Sequence, residues 1–258
     1  MSLYKTKALV LRSRKYREAD CLLTLLTQKK GKVSAIAKGV RKANSRLRGG
    51  VQLFTHNEML LSDGRNLDVI TQSECLEAFT TVGNDMEAMA VACYWCELLD
   101  SFIPMEQNDD ELYTLALAGF HLLALEHHEL VIRTLEIKLL SALGFMPTMD
   151  CCISCGRTLQ AEQKIFFSVG SGGVICSSCK KDDDAVSFTL EALKSWQQLQ
   201  RMKLSKLNRL KVSVEGLKIL DNVLESFLIF QLDYPLKSRR VLKEMWTSNV
   251  FLRNNRVE

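Results

Sequence analysis

Residues 22–38 read LLTLLTQKKGKVSAIAK, two apolar strand-like runs, Leu22–Thr27 and Val33–Lys38, joined through Lys30-Gly31-Lys32. Glycine in the middle of such a junction supplies the backbone freedom a tight turn needs. Working outward, Tyr4–Leu11 lies before this pair, and Val51–Leu61 and Leu67–Ala78 lie after it, with a hairpin signal at Asp63-Gly64 between them. In Leu67–Thr71 the apolar Leu67 and Val69 flank Asp68, the alternation of a half-exposed strand. Five strands in about 80 residues suit an OB-fold, a small barrel often used for oligonucleotides.

From Asn84 the apolar period becomes helical. Asn84 with Glu87 and Asn108 with Glu111 resemble capping pairs that start two helices. The first carries an apolar stripe at Met86, Met89, Cys93, Cys96, Leu99 and Ile103, so its C-x2-C pair is read as core rather than as a redox site, and Cys21 and Cys75 likewise. A third helix spans Glu129–Leu143 and stops at Gly144 with Pro147 beyond. Helical spacing returns at Leu190, Leu193, Trp196 and Leu199, then at Leu217, Leu220, Leu224, Phe227 and Leu228, after an acidic run at 182–184 read as a solvated loop. The expected class is α+β: an OB-fold barrel over 1–80, then a helical domain over 81–147 and 182–258 interrupted by a cysteine-bearing insert at 148–181.

That insert holds the strongest chemical signal. Cys152, Cys155, Cys176 and Cys179 make two C-x2-C pairs separated by twenty residues, the spacing of a tetrahedral zinc site, with Gly156 easing the first turn and Gly172 and Gly173 leading into the second. Four protein sulfurs leave no open position for water or substrate, so one structural zinc is expected and no catalytic one. Cys151 offers an alternative first ligand, and Cys152 is favoured. Three rival readings fit these cysteines less well. Disulfides fit poorly with nine cysteines and an opening Met1-Ser2-Leu3 that lacks an apolar signal segment, which points to a reduced cytoplasmic setting. A zinc deaminase pattern through His127, Glu129, Cys152 and Cys155 lacks its proline and strands the other two cysteines. An iron–sulfur cluster suits two separated knuckles less well than zinc does.

The net charge of +4 conceals a lopsided distribution. Residues 1–50 carry fourteen Lys or Arg against only Glu18 and Asp20, which suggests an N-terminal surface built for a polyanion. Lys29, Lys30, Lys32, Lys38, Arg41, Lys42, Arg46 and Arg48 fall in an acid-free stretch and are the expected DNA-binding residues, acting by phosphate neutralisation and counterion release. Aromatic platforms are sparse there, with Tyr4, Tyr16 and Phe54 the nearby candidates, so base-specific readout is not expected. A second acid-free stretch, Arg201, Lys203, Lys206, Arg209 and Lys211, is a candidate to extend the DNA path or receive an acidic peptide tail. No Walker loop, nucleophile elbow or H-E-x-x-H is present, clustered carboxylates for two-metal chemistry are missing, and the four histidines take packing or surface roles. The stretch Leu112–Leu125, free of Asp, Glu, Lys and Arg, is too short to span a bilayer.

Several motifs together carry a resemblance. Ala37-Lys38-Gly39-Val40-Arg41 is followed by Ser45-Arg46-Leu47 and Gln52; Leu143-Gly144-Phe145-Met146-Pro147 leads into the cysteines with Cys155-Gly156; and Leu236-Lys237-Ser238-Arg239 stands near the end. In these the chain resembles the RecO family of bacterial recombination mediators over almost its whole length. The resemblance implies an OB-fold, a helical domain and a zinc-binding insert. It also implies a non-enzymatic protein of the cytoplasm, associated with the nucleoid, that binds single- and double-stranded DNA and anneals strands. RecR and single-stranded DNA-binding protein are the implied partners, and RecA the protein whose loading it helps. Two alternatives stand beside it: a zinc-dependent nucleic-acid enzyme, and an interaction scaffold whose basic loop binds acidic tails.

Overall fold

The computed structural model describes residues 2–124, 128–159, 164–181 and 185–254, with side chains described as far as residue 248. Its contacts divide the chain into two units, Met1–Glu126 with Leu236–Glu258, and His127–Pro235. This division does not fall at 80, 147 and 181: the helices that follow the barrel in sequence group with it, and so does the last helix.

In the first unit, β1 (Leu3–Tyr16), β2 (Asp20–Thr27), β3 (Gly31–Ala37), β4 (His56–Ser62) and β5 (Asp68–Glu77) close a barrel in the order β1-β2-β3-β5-β4. All neighbours are antiparallel except β3 and β5. This is the OB-fold expected from the strand count. β1 can serve two partners because it is long and bulged. Its first half pairs with β4 and its second with β2, and the register slips between Val10 and Arg12. Inward residues Ala8, Val10, Leu23, Leu25, Val33, Ala35, Met59, Leu61 and Ile70 fill the barrel. Two strand ends differ from expectation. β1 continues to Tyr16 instead of stopping at Leu11, since arginines alternating on a strand's outer face do not interrupt it. β4 starts at His56 rather than Val51, because residues 49–51 form a 3-10 turn and Phe54 takes a left-handed φ of 60°.

Helices α1 (Thr80–Asn84), α2 (Met86–Phe102) and α3 (Asp110–Leu123) follow. α2 packs on β1. Leu9 and Leu26, cross-strand partners on the barrel's outer side, are buried. The helix starts are capped by Asp85 and Asp109, whose carboxylates accept from the backbone N–H groups of Ala88 at 2.8 Å and Leu112 at 2.9 Å. Each lies one residue after the expected asparagine, and a carboxylate adds favourable charge at the positive helix end. The inward face of α2 is Val91, Ala92, Trp95, Leu98 and Leu99, whereas Met86, Met89 and Cys93 are exposed and Cys75 on β5 is too. An unbroken apolar run admits several helical phases, and the bulk of Trp95 decides this one. Gly119 of α3 makes room for it: a Cβ there would stand 2.4 Å from the indole nitrogen, which donates to the Ala116 carbonyl at 3.2 Å.

The second unit comprises α4 (His128–Ala142), β6 (Ile165–Ser168), β7 (Gly173–Cys176), β8 (Val186–Phe188), α5 (Leu190–Arg201) and α6 (Val214–Leu232). The three short strands make an antiparallel sheet in the order β7-β6-β8. Phe167 on β6 lies 6.3 Å from Trp196 on α5 and 5.6 Å from Phe227 on α6, ring centre to ring centre, and seats the sheet on the helices. Arg133 of α4 is wholly buried, with Glu136 at 2.9 Å and Asp221 at 2.7 Å to balance its charge. The acidic run at 182–184 and His127 lie outside the described residues.

The last helix, α7 (Lys237–Asn254), has no expectation matching it and belongs to the first unit. Glu97 of α2 accepts from the backbone N–H groups of Lys237 at 3.2 Å and Ser238 at 2.7 Å, and from the Ser238 hydroxyl. Arg239 is buried over the rings of Tyr94 and Trp246, and the Trp246 indole donates to Glu87 at 2.8 Å. The Leu236–Arg239 motif thus stitches α7 to α2.

Candidate metal centre and nucleic-acid interface

In the second unit the sulfurs of Cys152, Cys155, Cys176 and Cys179 all lie within 4.8 Å of one another. Among the described residues no other group of three or more histidines, cysteines or acids could hold a metal ion. Cys155 and Cys176 are 3.9 Å apart, close to the edge of roughly 3.8 Å that a tetrahedron with metal–sulfur bonds of about 2.3 Å requires. Two local devices set this geometry. Gly156 adopts φ +72° while its N–H donates to the Cys152 carbonyl at 2.8 Å, which curls the first pair; Gly172, at φ +68°, turns the chain into β7. Gly173 must lack a side chain, since a Cβ would stand 2.8 Å from the Thr148 carbonyl. The first position is filled by Cys152, not Cys151, whose sulfur is not part of the cluster.

The site's electrostatics favour a cation. Burial opposes ionisation of Cys152, yet backbone N–H groups of Cys176, Cys155 and Ser154 outweigh it and bring the thiol down to about 6. Cys179 is pushed up to about 12, foremost by hydrogen bonds with the Cys176 and Cys155 sulfurs. Four sulfurs this close cannot all be thiolates unless a positive ion offsets their repulsion. The donor set is compatible with zinc, and Cys152 and Cys155 are accounted for without a deaminase arrangement, Glu129 lying in the first turn of α4.

The expected DNA-binding cations are not brought together as one set. Lys38, Arg41, Lys42, Arg46 and Arg48 are all exposed on the loop between β3 and β4, with Lys29 exposed at the β2–β3 turn. The loop is not loose. Val40 and Val51 are buried in the barrel core and Leu47 packs against it, so three apolar anchors hold the loop down while the charges point out. The Arg41 guanidinium donates to the Glu18 carbonyl at 2.9 Å and that of Arg48 to the Lys42 carbonyl at 3.0 Å. Gly50 passes so near β5 that a Cβ would meet the Ser73 hydroxyl at 2.0 Å.

Two lysines are placed differently from the rest. Lys32 is 7% exposed, its ammonium bonded to the Asp100 carbonyl and 3.4 Å from the Asp100 carboxylate. No phosphate can replace that pairing from outside. Lys30 lies 2.6 Å from Asp63 and 4.0 Å above the Tyr4 ring. Tyr4 in turn donates to Asp68, and Phe54 packs 6.0 Å from Phe120, so neither ring is a free platform. The lysine-and-glycine turn concentrates charge in sequence, but period-2 alternation puts Lys32 on the barrel's outer face, opposite in direction to the inward Val33, where the Met105 segment and Asp100 cover it. The same alternation reveals what the charge count alone did not place: Arg12 and Arg14, both exposed, share the outer face of β1 with Tyr16. In the second unit Lys203, Lys206, Arg209 and Lys211 are exposed around a 3-10 segment, Leu204–Arg209, pinned by buried Leu207, and Arg201 pairs with Asp150 at 3.3 Å. His56 is buried and hydrogen-bonded to the Tyr113 hydroxyl at 2.9 Å, and His121 pairs with Glu77 at 3.5 Å, so both serve packing. No helix among the described residues is long and apolar enough to cross a membrane.

Comparison with known proteins covers both parts of the chain. The family model for "Recombination protein O N terminal" matches residues 1–79, and that for "Recombination protein O C terminal" matches residues 83–240. The DNA repair protein RecO of Desulforamulus reducens is 36% identical over 252 residues, covering 97% of this chain and 98% of that protein. The DNA repair protein RecO of Symbiobacterium thermophilum is 33% identical over 246 residues, 94% of this chain and 97% of its own length. That of Heliobacterium modesticaldum is 35% identical over 252 residues, with 96% and 92% covered.

Proposed function

The chain belongs to the RecO family of DNA repair proteins, and from that premise we propose that it acts as a non-enzymatic mediator of recombination that holds DNA by its phosphates. The supporting observation is the anchored loop: five exposed cations, Lys38, Arg41, Lys42, Arg46 and Arg48, carried on the rim of an OB barrel by Val40, Leu47 and Val51, with Lys29 beside them. Each phosphate neutralised there releases condensed counterions, which drives binding without reading the bases. Such a surface takes single and double strands alike. It also favours annealing, because two strands whose charge is screened by the same protein repel each other less. Lys30 and Lys32 are left out of this contact, being held by Asp63 and Asp100.

The reading extends to the family's partners: RecR, single-stranded DNA-binding protein, and RecA as the protein loaded onto the strand. Its setting is the cytoplasm, on the nucleoid. The working division is an OB-fold domain over 1–80, a helical domain over 81–147 and 182–258, and a metal-binding insert over 148–181; separate family models for 1–79 and 83–240 support its first boundary. Cys152, Cys155, Cys176 and Cys179 would hold one zinc ion, whose contribution is to cross-link the two cysteine turns with every coordination position filled. The residues themselves orient the site: the N–H of Cys176 donates to the Cys152 sulfur at 3.4 Å, and β6 and β8 carry the insert on Phe167. The test is a titration of labelled single- and double-stranded oligonucleotides across a salt series, followed by an annealing assay. Tight binding that weakens steeply with salt for both, together with faster annealing, is expected. Binding that ignores salt, or that gives no annealing, would overturn the reading.

A further inference from the structure

Residues 1–50 hold only two acids, Glu18 and Asp20, and both sit where the β1–β2 hairpin meets the root of the basic loop. A surface shaped only to attract phosphate would carry neither. The contacts at the hairpin tip account for one of them. The Asp20 carboxylate accepts from the Gly39 N–H at 2.7 Å, the Ala19 carbonyl from the Arg41 N–H at 2.9 Å, and the Glu18 carbonyl from the Arg41 guanidinium at 2.9 Å. Glu18 and Ala19 thus contribute main-chain oxygens that any residue would supply. Asp20 alone contributes its side chain. The bond it makes falls where the chain leaves β3 through a bend, with Gly39 at φ +64°, a conformation that glycine takes freely and other residues rarely.

From Gly39 the hydrogen bonds run on through the loop. The Gly39 carbonyl accepts from the Lys42 N–H at 3.1 Å, and the Lys42 carbonyl accepts from the Ser45 N–H at 3.2 Å and the Arg48 guanidinium at 3.0 Å. The Arg48 carbonyl then accepts from the Gln52 side-chain amide at 3.0 Å. Arg41, Lys42 and Arg48 are therefore set by a relay whose first member is the Asp20 carboxylate. Val40, between the two tied residues, is buried in the barrel core and keeps the loop attached. A single apolar plug fixes one point, however, and leaves the residues on either side free to turn about it; the bonds at Gly39 and Arg41 remove that freedom. The far end of the loop is fixed by packing instead, with Gly50 against Ser73 and Val51 buried. Cations on an untied segment repel one another and spread. Cations already held in place meet a phosphate backbone without the cost of ordering them. A carboxylate suits the root because a hydrogen bond to an ionised acceptor is about twice as strong as a neutral one.

We infer that Asp20 is a positioning residue for DNA binding: its carboxylate fixes the basic loop in the shape that meets phosphates, although its charge taken alone would repel them. The inference rests on the phosphate-binding reading of the loop given above, and the experiment keeps the two apart. The full-length protein is compared with Asp20→Ala, Asp20→Asn and Asp20→Glu, and with Arg46→Ala/Arg48→Ala. Asparagine keeps an acceptor in place without the charge, and glutamate keeps the charge but carries it one methylene further out. Two quantities are read: affinity for a single strand and for its duplex at one salt concentration, and the rate at which trypsin cuts within residues 38–48 in protein free of DNA. The alanine variant should be cut faster and should bind both forms about five- to tenfold more weakly, the size of one charge-assisted hydrogen bond. The glutamate variant should move the same way. The asparagine variant should be cut at the wild-type rate and bind as tightly as the wild type or tighter. Buried Val40 and Val51 should preserve the fold, as a thermal melt will verify, and the glutamate variant carries the test if the alanine variant does not fold. Were Asp20 to act by charge alone, alanine and asparagine would both tighten binding and glutamate would change nothing; that pattern overturns the inference. So does unchanged cutting of the alanine and glutamate variants, and so does an asparagine variant as weak and as easily cut as the alanine one. Faster cutting with full affinity is resolved by the loop variant. If Arg46→Ala/Arg48→Ala loses affinity, the positioning role is overturned; if it does not, the phosphate reading of the loop falls and the clamp on it remains.

Discussion

Arg46 and Lys32 are both cations of one acid-free stretch, and the structure gives them opposite fates. Arg46 and Arg48 stand exposed on a loop whose apolar residues do the anchoring, so their replacement by alanine removes charge and little else. For a single strand each neutralised phosphate contributes roughly −0.7 to the log–log dependence of affinity on salt, so the double variant should flatten that slope by about one unit or slightly more. A folded variant with the wild-type slope would place the DNA contact elsewhere. Lys32 should behave in the reverse way. Lys32→Gln leaves Asp100 without its buried ammonium, and a loss of about 1–3 kcal/mol of stability is expected, read by urea denaturation, with the salt slope unchanged. A changed slope with unchanged stability would return Lys32 to the DNA surface. Charge density along the chain was legible in the sequence. Which lysines it concerns was not, because Lys32 lies on the outward face of β3 and is buried only by the Met105 segment, which comes from a distant part of the chain.

At the scale of elements, the cysteine insert was the most legible, since a C-x2-C turn is a local device and two of them leave one solution in space. The β7-β6-β8 sheet brings the two turns together, and the crowding of four sulfurs does the rest. Protein purified under reducing conditions should carry one equivalent of zinc, and Cys176→Ser should carry none while α4, α5 and α6 persist by far-UV circular dichroism. Because the thiolates must stay deprotonated to bind metal, protons compete with zinc for all four sulfurs and zinc should leave as the pH is lowered. Full metal content in the serine variant would refute a four-thiolate site. Other elements were less legible for reasons that are equally physical. Asp85 and Asp109 cap where adjacent asparagines also could, a choice of one residue that local preference does not make. α7 is amphipathic but begins without a capping side chain of its own in sequence; its first turn is satisfied by Glu97, 140 residues away.

For the molecule as a whole, strand count and turn signals led to the right barrel, because an OB-fold is written mainly in alternation and turns. The extent of each compact unit is a different matter, since it depends on who covers whom. A boundary near residue 80 follows the change of period in the sequence, and the two family models part there as well. The contacts run across it: Phe79 lies 5.1 Å from Phe120 of α3, His56 of β4 is bonded to Tyr113, and α2 packs on β1, where Leu9 is buried. A fragment of residues 1–80 would bare that face of the barrel, and exposed apolar patches of this kind lead to association. It should therefore bind the dye ANS strongly or aggregate. A fragment of residues 127–235, prepared with zinc, keeps its own core of Phe167, Trp196 and Phe227 and its internally balanced Arg133. It should melt cooperatively and stay monomeric. A well-behaved, cooperatively folding 1–80 fragment would show that the barrel's outer face needs no helical cover, and that evolution's unit, not the contact unit, is the one that folds.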